Sequence, residues 1–176
     1  MTEAADDLRA RYRPSNVRVL FVGESPPAGG TFFYAGNSKL YFATRAAFQA
    51  AVPDIVSEPF LESFCELGCF LDDLCLAPVN HLKLTDRGQK RERLRLRFDG
   101  EAALAARMRD HAPEAVVLVM SGIQGNVRRA AADAGVHAPF VVLPFPGRPE
   151  HASRFDRDLR VALHDLRSRG VLRPAH

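Results

Sequence analysis

The chain has 176 residues, 47% of them hydrophobic and 26% charged, with a formal net charge of +3. That composition excludes a disordered chain and can fill one core of ordinary domain size, so residues 1–176 read as a single domain. The longest apolar run, Ala115 to Met120, is six residues, far short of the ~18 a membrane span needs, and the acidic start Met-Thr-Glu-Ala-Ala-Asp-Asp does not suit a secretion signal. A cytoplasmic location without membrane contact is expected.

In chain order, residues 3–12 suit a short amphipathic helix ended by Pro14, and Val17 to Val22 a buried strand stopped by Gly23. An irregular loop follows, GESPPAGGTFFYAGN. Ser38 is placed to cap a helix running to Ala51, and a second helix spans Pro59 to Leu67, bounded by Pro and Gly68. Cys69 to Leu74 is a second strand. From Pro78 a long connection is expected, containing the basic stretch KLTDRGQKRERLRLR. Asp99 is then placed to cap a helix from Gly100 to His111. Glu114 to Met120 is the third strand, and Ser121-Gly122 turns into a helix ending at Gly135. Phe140 to Leu143 is the fourth strand, followed by PFPGRPEH and a last helix opened by Ser153 and running to Arg169.

Four short apolar strands alternating with helices predict a parallel sheet covered on both faces, with ligands beyond the strands' carboxyl ends. The exit loops are 23–37, 75–98, 121–125 and 144–152. In the first, Glu24 is fixed by a strand behind it and Pro26-Pro27 ahead. A carboxylate so held can serve as acid, base or charge stabiliser, or form a structural salt bridge. The loop's glycines match neither a dinucleotide fingerprint nor a Walker loop. Among Phe32, Phe33 and Tyr34, at least one aromatic is expected to leave the core as a platform for a planar ring. Lys83 to Arg97 carries +5, leaving −2 for the rest of the chain. Such a basic segment is either a polyanion-binding surface or a solvated loop. Cys65, Cys69 and Cys75 lack the spacing of a zinc or iron–sulfur set and read as structural. No metal or cofactor is expected.

The order strand–GESPP–loop–aromatic–helix, strand–Ser121-Gly122–helix and strand–PFPGRPEH resembles the uracil-DNA glycosylase superfamily over roughly residues 16 to 165. The resemblance implies a three-layer α/β/α sandwich on a four-stranded parallel sheet. Gly23-Glu24-Ser25-Pro26-Pro27 is similar to that family's first motif, and Phe145-Pro146-Gly147-Arg148 stands in the place of its second. It further implies a monofunctional glycosylase that hydrolyses the bond between deoxyribose and a flipped, deaminated or otherwise damaged base.

By the same resemblance Glu24 is the catalytic carboxylate, and Phe33 stacks on the base within a pocket completed by Gly23, Ser25 and Asp73. Ser121, Gly122, Pro146 and Arg148 touch or wedge the DNA, and Lys83, Arg91 and Arg93 add phosphate affinity. Two positions differ from the family. Phe145 replaces a histidine, so a catalytic His would have to be His151 folding back, and Asp73 replaces an asparagine, which points to a base other than uracil. The partner implied is single- or double-stranded DNA, bound by a monomer. The alternatives are a nucleic-acid-binding module of the same fold without the chemistry, or a nucleotide or nucleoside hydrolase.

Overall fold

The computed structural model describes residues 3–174. It is an α/β fold with a four-stranded, all-parallel sheet flanked by helices. The helices are α1 (Glu3–Arg11), α2 (Lys39–Ala51), α3 (Phe60–Glu66), α4 (Arg87–Asp99), α5 (Glu101–His111), α6 (Gln124–Ala134) and α7 (Pro149–Ser168), and the strands are β1 (Val19–Gly23), β2 (Cys69–Asp73), β3 (Ala115–Leu118) and β4 (Phe140–Val142). The order across the sheet is β2-β1-β3-β4. The first crossover therefore runs one way from β1, and the next two run the other way.

Right-handed crossovers then put α2 and α3 on one face and α5 and α6 on the opposite face. The packing agrees: α2 lies against α7, and α5 against α6. Every residue of β1, β2 and β3 is buried, as strands covered on both faces must be. The direction of winding reverses between β1 and β3, which opens a crevice at their carboxyl ends.

Local chemistry explains most boundaries. Ser38 Oγ accepts the Tyr41 N–H at 3.1 Å and starts α2, and Gly135 ends α6 in the left-handed conformation at φ 71°. The expected strands and the helices over 3–12, 38–51 and 59–67 are present with ends moved by a residue or two.

Four expectations are corrected. The basic segment is not a loop beyond Asp86: residues 87–99 form α4, capped by Asp86 Oδ1 accepting the Gln89 N–H at 2.8 Å. Asp99 does not cap α5, because α4 and α5 meet at Gly100 and Asp99 is the last residue of α4, bound to Arg95. A side chain at Gly100 would come within 2.6 Å of the Leu74 carbonyl oxygen, so the joint needs glycine. The last helix opens at Pro149, not Ser153, since proline at the first helical position leaves no N–H unpaired.

The fourth correction concerns the aromatic triplet: Phe32, Phe33 and Tyr34 are all buried. Residues 33–35 form a short 3-10 turn, which sends successive side chains in different directions. Tyr12, just after α1, stacks on Tyr34 with ring centroids 5.9 Å apart, while the Tyr34 hydroxyl donates to the Leu71 carbonyl and accepts from the Leu71 N–H. The arrival of α1 covers the side that would otherwise be open.

Candidate functional site

A pocket of about 600 Å³ opens at the β1/β3 crevice. Gly23, Glu24, Ser25, Phe33, Asp73 and Arg93 all line it, although they lie on four separate segments of the chain. Phe145 lines it too and is 44% exposed, so an aromatic stands at its edge. The sheet explains the convergence: Gly23 is in register with Asp73, and the backbone pairing continues from Cys75 N–H to the Glu24 carbonyl at 2.8 Å.

Glu24 is buried and bound by two arginines of α4, one helical turn apart. Arg93 donates from Nε to Oε1 at 2.7 Å and from Nη2 to Oε2. Arg97 donates from Nε to Oε1 at 2.7 Å, with its Nη2 2.6 Å from the same oxygen. The other ends of the guanidinium groups are also held, Arg93 Nη1 by the Leu82 carbonyl and Arg97 Nη1 by the Gly122 carbonyl. Burial raises the Glu24 carboxyl, but the hydrogen bonds and charges of the two arginines outweigh it and hold the group below its ordinary value. Glu24 is an ionised carboxylate whose Oε1 takes both arginines and whose Oε2 takes Arg93 alone, so one acceptor position is left on Oε2.

Asp73 is held differently. Its Oδ2 accepts from Arg9 Nη2 of α1 at 2.6 Å. Oδ1 accepts no hydrogen bond among the described residues and lies over Gly23, where a Cβ would sit 2.5 Å from it. Glycine at 23 is what lets the carboxyl turn toward the pocket. Burial pushes Asp73 up to about 7, aided by the Asp72 charge and opposed by Arg9. Its neighbour Asp72 is bound instead by Arg107 of α5, Nε to Oδ2 at 2.6 Å, and turns Oδ1 back to the Asp73 N–H.

The loops are tied to each other around this site. Ser25 Oγ accepts the Val79 N–H at 3.1 Å and donates to the Pro26 carbonyl at 3.2 Å, so Ser25 braces the pocket wall. Phe33 lines the pocket with its ring fixed by edge contacts to Tyr34 at 5.2 Å and Tyr41 at 6.0 Å.

The remaining expected site residues are not gathered here. His151 is in the first turn of α7 and does not line the pocket; the helix begun by Pro149 holds it there and removes the loop that would have folded it back. Ser121, Gly122 and Arg148 are exposed and Pro146 is buried, all outside the pocket lining. Lys83 and Arg91 are exposed on and before α4. Arg93 does not stand on the outer surface with them: it is 8% exposed, faces the pocket and is bound to Glu24.

Arg97 and Arg9 went unassigned in the sequence. An i,i+4 arginine pair on a helix capped by Asp86 was the available signal for the first; nothing local marks the second. Among the described residues no group of three or more His, Cys, Asp or Glu side chains is placed to hold a metal ion, and no helix is long and apolar enough to cross a membrane. The cysteines are unpaired, and burial pushes the Cys75 thiol up to about 11. No protein-family model matches the chain, and no curated protein matches its sequence.

Proposed function

We propose that the protein is a monofunctional DNA glycosylase that hydrolyses the N-glycosidic bond of a flipped, damaged base, acting as a monomer in the cytoplasm. The observation that supports this reading is the meeting of Glu24, Phe33 and Asp73 in one pocket at the β1/β3 crevice. A ring against Phe33 would present its edge to Asp73 Oδ1. In the reaction a water oxygen bonds to the anomeric carbon, the carbon–nitrogen bond breaks, and its electron pair leaves with the base. The water's proton passes to solvent or to the departing base. Glu24 would stabilise the cationic sugar and orient the water. Because Arg93 and Arg97 occupy all but one acceptor position of the carboxylate, the reading places the water on Oε2 or has bound substrate draw one guanidinium aside.

The pairing of Glu24 with two arginines is also the observation favouring a second reading, a nucleic-acid-binding module of the same fold without the chemistry. A panel of single-lesion oligonucleotides, single- and double-stranded, scored for abasic sites distinguishes them. Excision of one lesion that is lost in Glu24→Gln supports the enzyme. Binding without abasic sites on any lesion overturns it in favour of the module.

A further inference from the structure

The polar groups around the pocket are unbalanced. Two carboxylates, Glu24 and Asp73, face four cations: Arg93 and Lys39 on the pocket itself, and Arg97 and Arg9 directly behind the carboxylates. Asp72 and Arg107 pair with each other and leave the balance unchanged. Lys39 is exposed while the three arginines are buried, so the surplus of positive charge lies at the open side of the pocket, where an anionic ligand can meet it.

The uncharged groups lean the same way. Asn37 spends its Oδ1 on the Phe32 N–H at 2.7 Å, and Asn80 spends its Oδ1 on the Ala28 N–H at 3.0 Å. Both residues line the pocket, and the end each has left is an NH2 donor. Asp73 Oδ1 is the one side-chain carboxylate oxygen among the described pocket residues without a hydrogen-bond donor.

We propose that the pocket contains a phosphate-recognition site built on Arg93 and Lys39, with the amides of Asn37 and Asn80, which takes the phosphate attached to the nucleoside whose ring lies against Phe33. This rests on the base-binding reading above and names the part of the ligand that the reading leaves unplaced. Arg93, not Arg97, makes the contact, because Arg93 lines the pocket and Arg97 lies behind Glu24. The phosphate then competes with Glu24 for Arg93 Nη2, which would free Glu24 Oε2 further for the water of the hydrolytic reading. The same phosphate could belong to a nucleic-acid strand or to a free nucleotide.

The test is calorimetric titration of the whole chain with the common 2′-deoxynucleosides and 2′-deoxyuridine, each with its 5′-monophosphate, and with a short single-stranded oligonucleotide. A 5′-monophosphate should bind about tenfold to a hundredfold tighter than its nucleoside, the worth of a charge-assisted hydrogen bond. Arg93→Gln and Lys39→Gln should each remove most of that preference. Lys39 is exposed, so its variant folds even where Arg93→Gln does not. A monophosphate preference identifies a free nucleotide as the source; tight binding by the oligonucleotide alone, lost in both variants, identifies a strand.

Equal affinity for nucleoside and nucleotide, a preference that survives both substitutions, or no binding by any of these probes overturns the proposal. Abasic-site formation without phosphate preference leaves the glycosylase reading standing and removes this site. Phosphate preference without abasic sites does the reverse.

Discussion

Arg97 Nε lies 2.7 Å from Glu24 Oε1, a contact that joins residues 73 apart and fastens α4 to the carboxyl end of β1. Both partners are buried: removing Glu24 leaves two guanidinium groups without their carboxylate, whereas removing Arg97 leaves Glu24 paired with Arg93 alone. Breaking such a pair costs about 3–5 kcal/mol when no substitute is present. Glu24→Gln keeps one oxygen acceptor and should lose part of that, while base release should fall by orders of magnitude, because a neutral amide cannot stabilise the cationic sugar. Urea melts and abasic-site assays check the two effects separately. Wild-type values in both would show that the carboxylate neither braces α4 nor assists the chemistry.

The arginines of α4 should separate into two groups. Arg91 is exposed and forms no ion pair among the described residues, whereas Arg95 is bound by Glu92 and Asp99, and Arg93 by Glu24. Arg91→Ala should weaken binding to all DNA alike and lower the salt slope by about one unit, the amount for one lost phosphate contact. Arg93→Ala should instead lower the melting temperature, since it opens the Glu24 cluster. A large fall in Tm for Arg91→Ala, or none for Arg93→Ala, would contradict this division.

The strands and capped helices were legible because their signals are local: β-branched runs, Ser38 before an amphipathic stretch, Gly135 after one. Helix α4 was not, because Arg93 and Arg97 look like solvated charges in sequence and only a carboxylate 69 and 73 residues away makes them interior groups. The placement of Glu24 and Asp73 at strand ends was readable from the winding of the sheet. What each carboxylate does there was not, since Arg9, Arg93 and Arg97 come from helices whose docking leaves no mark in the surrounding residues. The buried Phe32 follows the same pattern, with the Arg9 guanidinium 5.7 Å from its ring centroid.

The two site carboxylates should respond to pH in opposite directions. Glu24 is held below its ordinary 4.5, so its contribution is present above that value and is lost as acid protonates the folded state. Asp73 goes the other way. Its folded value is about 7 against an ordinary 3.8, so between these limits the folded chain holds a proton that the unfolded chain has released. Stability from this group therefore falls as pH rises through that window and stays lost above it, by an amount on the order of a few kcal/mol. Melting curves from pH 5 to 8 should show Asp73→Asn gaining on the wild type as pH increases. A constant difference across the range would remove Asp73 from the account.

On the proposed glycosylase reading, Asp73 should also set which base the pocket prefers. Arg9 occupies Oδ2, so Oδ1 alone is left for a ligand, and when ionised it only accepts. An accepting oxygen favours a ring N–H or an exocyclic amine and repels a neighbouring carbonyl. Asp73→Asn supplies an amide that can donate, and it should move the lesion preference toward uracil by ~1–3 kcal/mol, or roughly tenfold to a hundredfold. Asp72 is the control, because its side chain is taken by Arg107 and by the Asp73 N–H. Asp72→Asn should therefore lower Tm and leave the preference where it was. Excision rates on a lesion panel, measured beside the melting temperature of each variant, separate the outcomes. Equal lesion profiles for the wild type and Asp73→Asn, with a lower Tm for the variant, would make Asp73 a brace for α1 and leave base recognition to the aromatic wall.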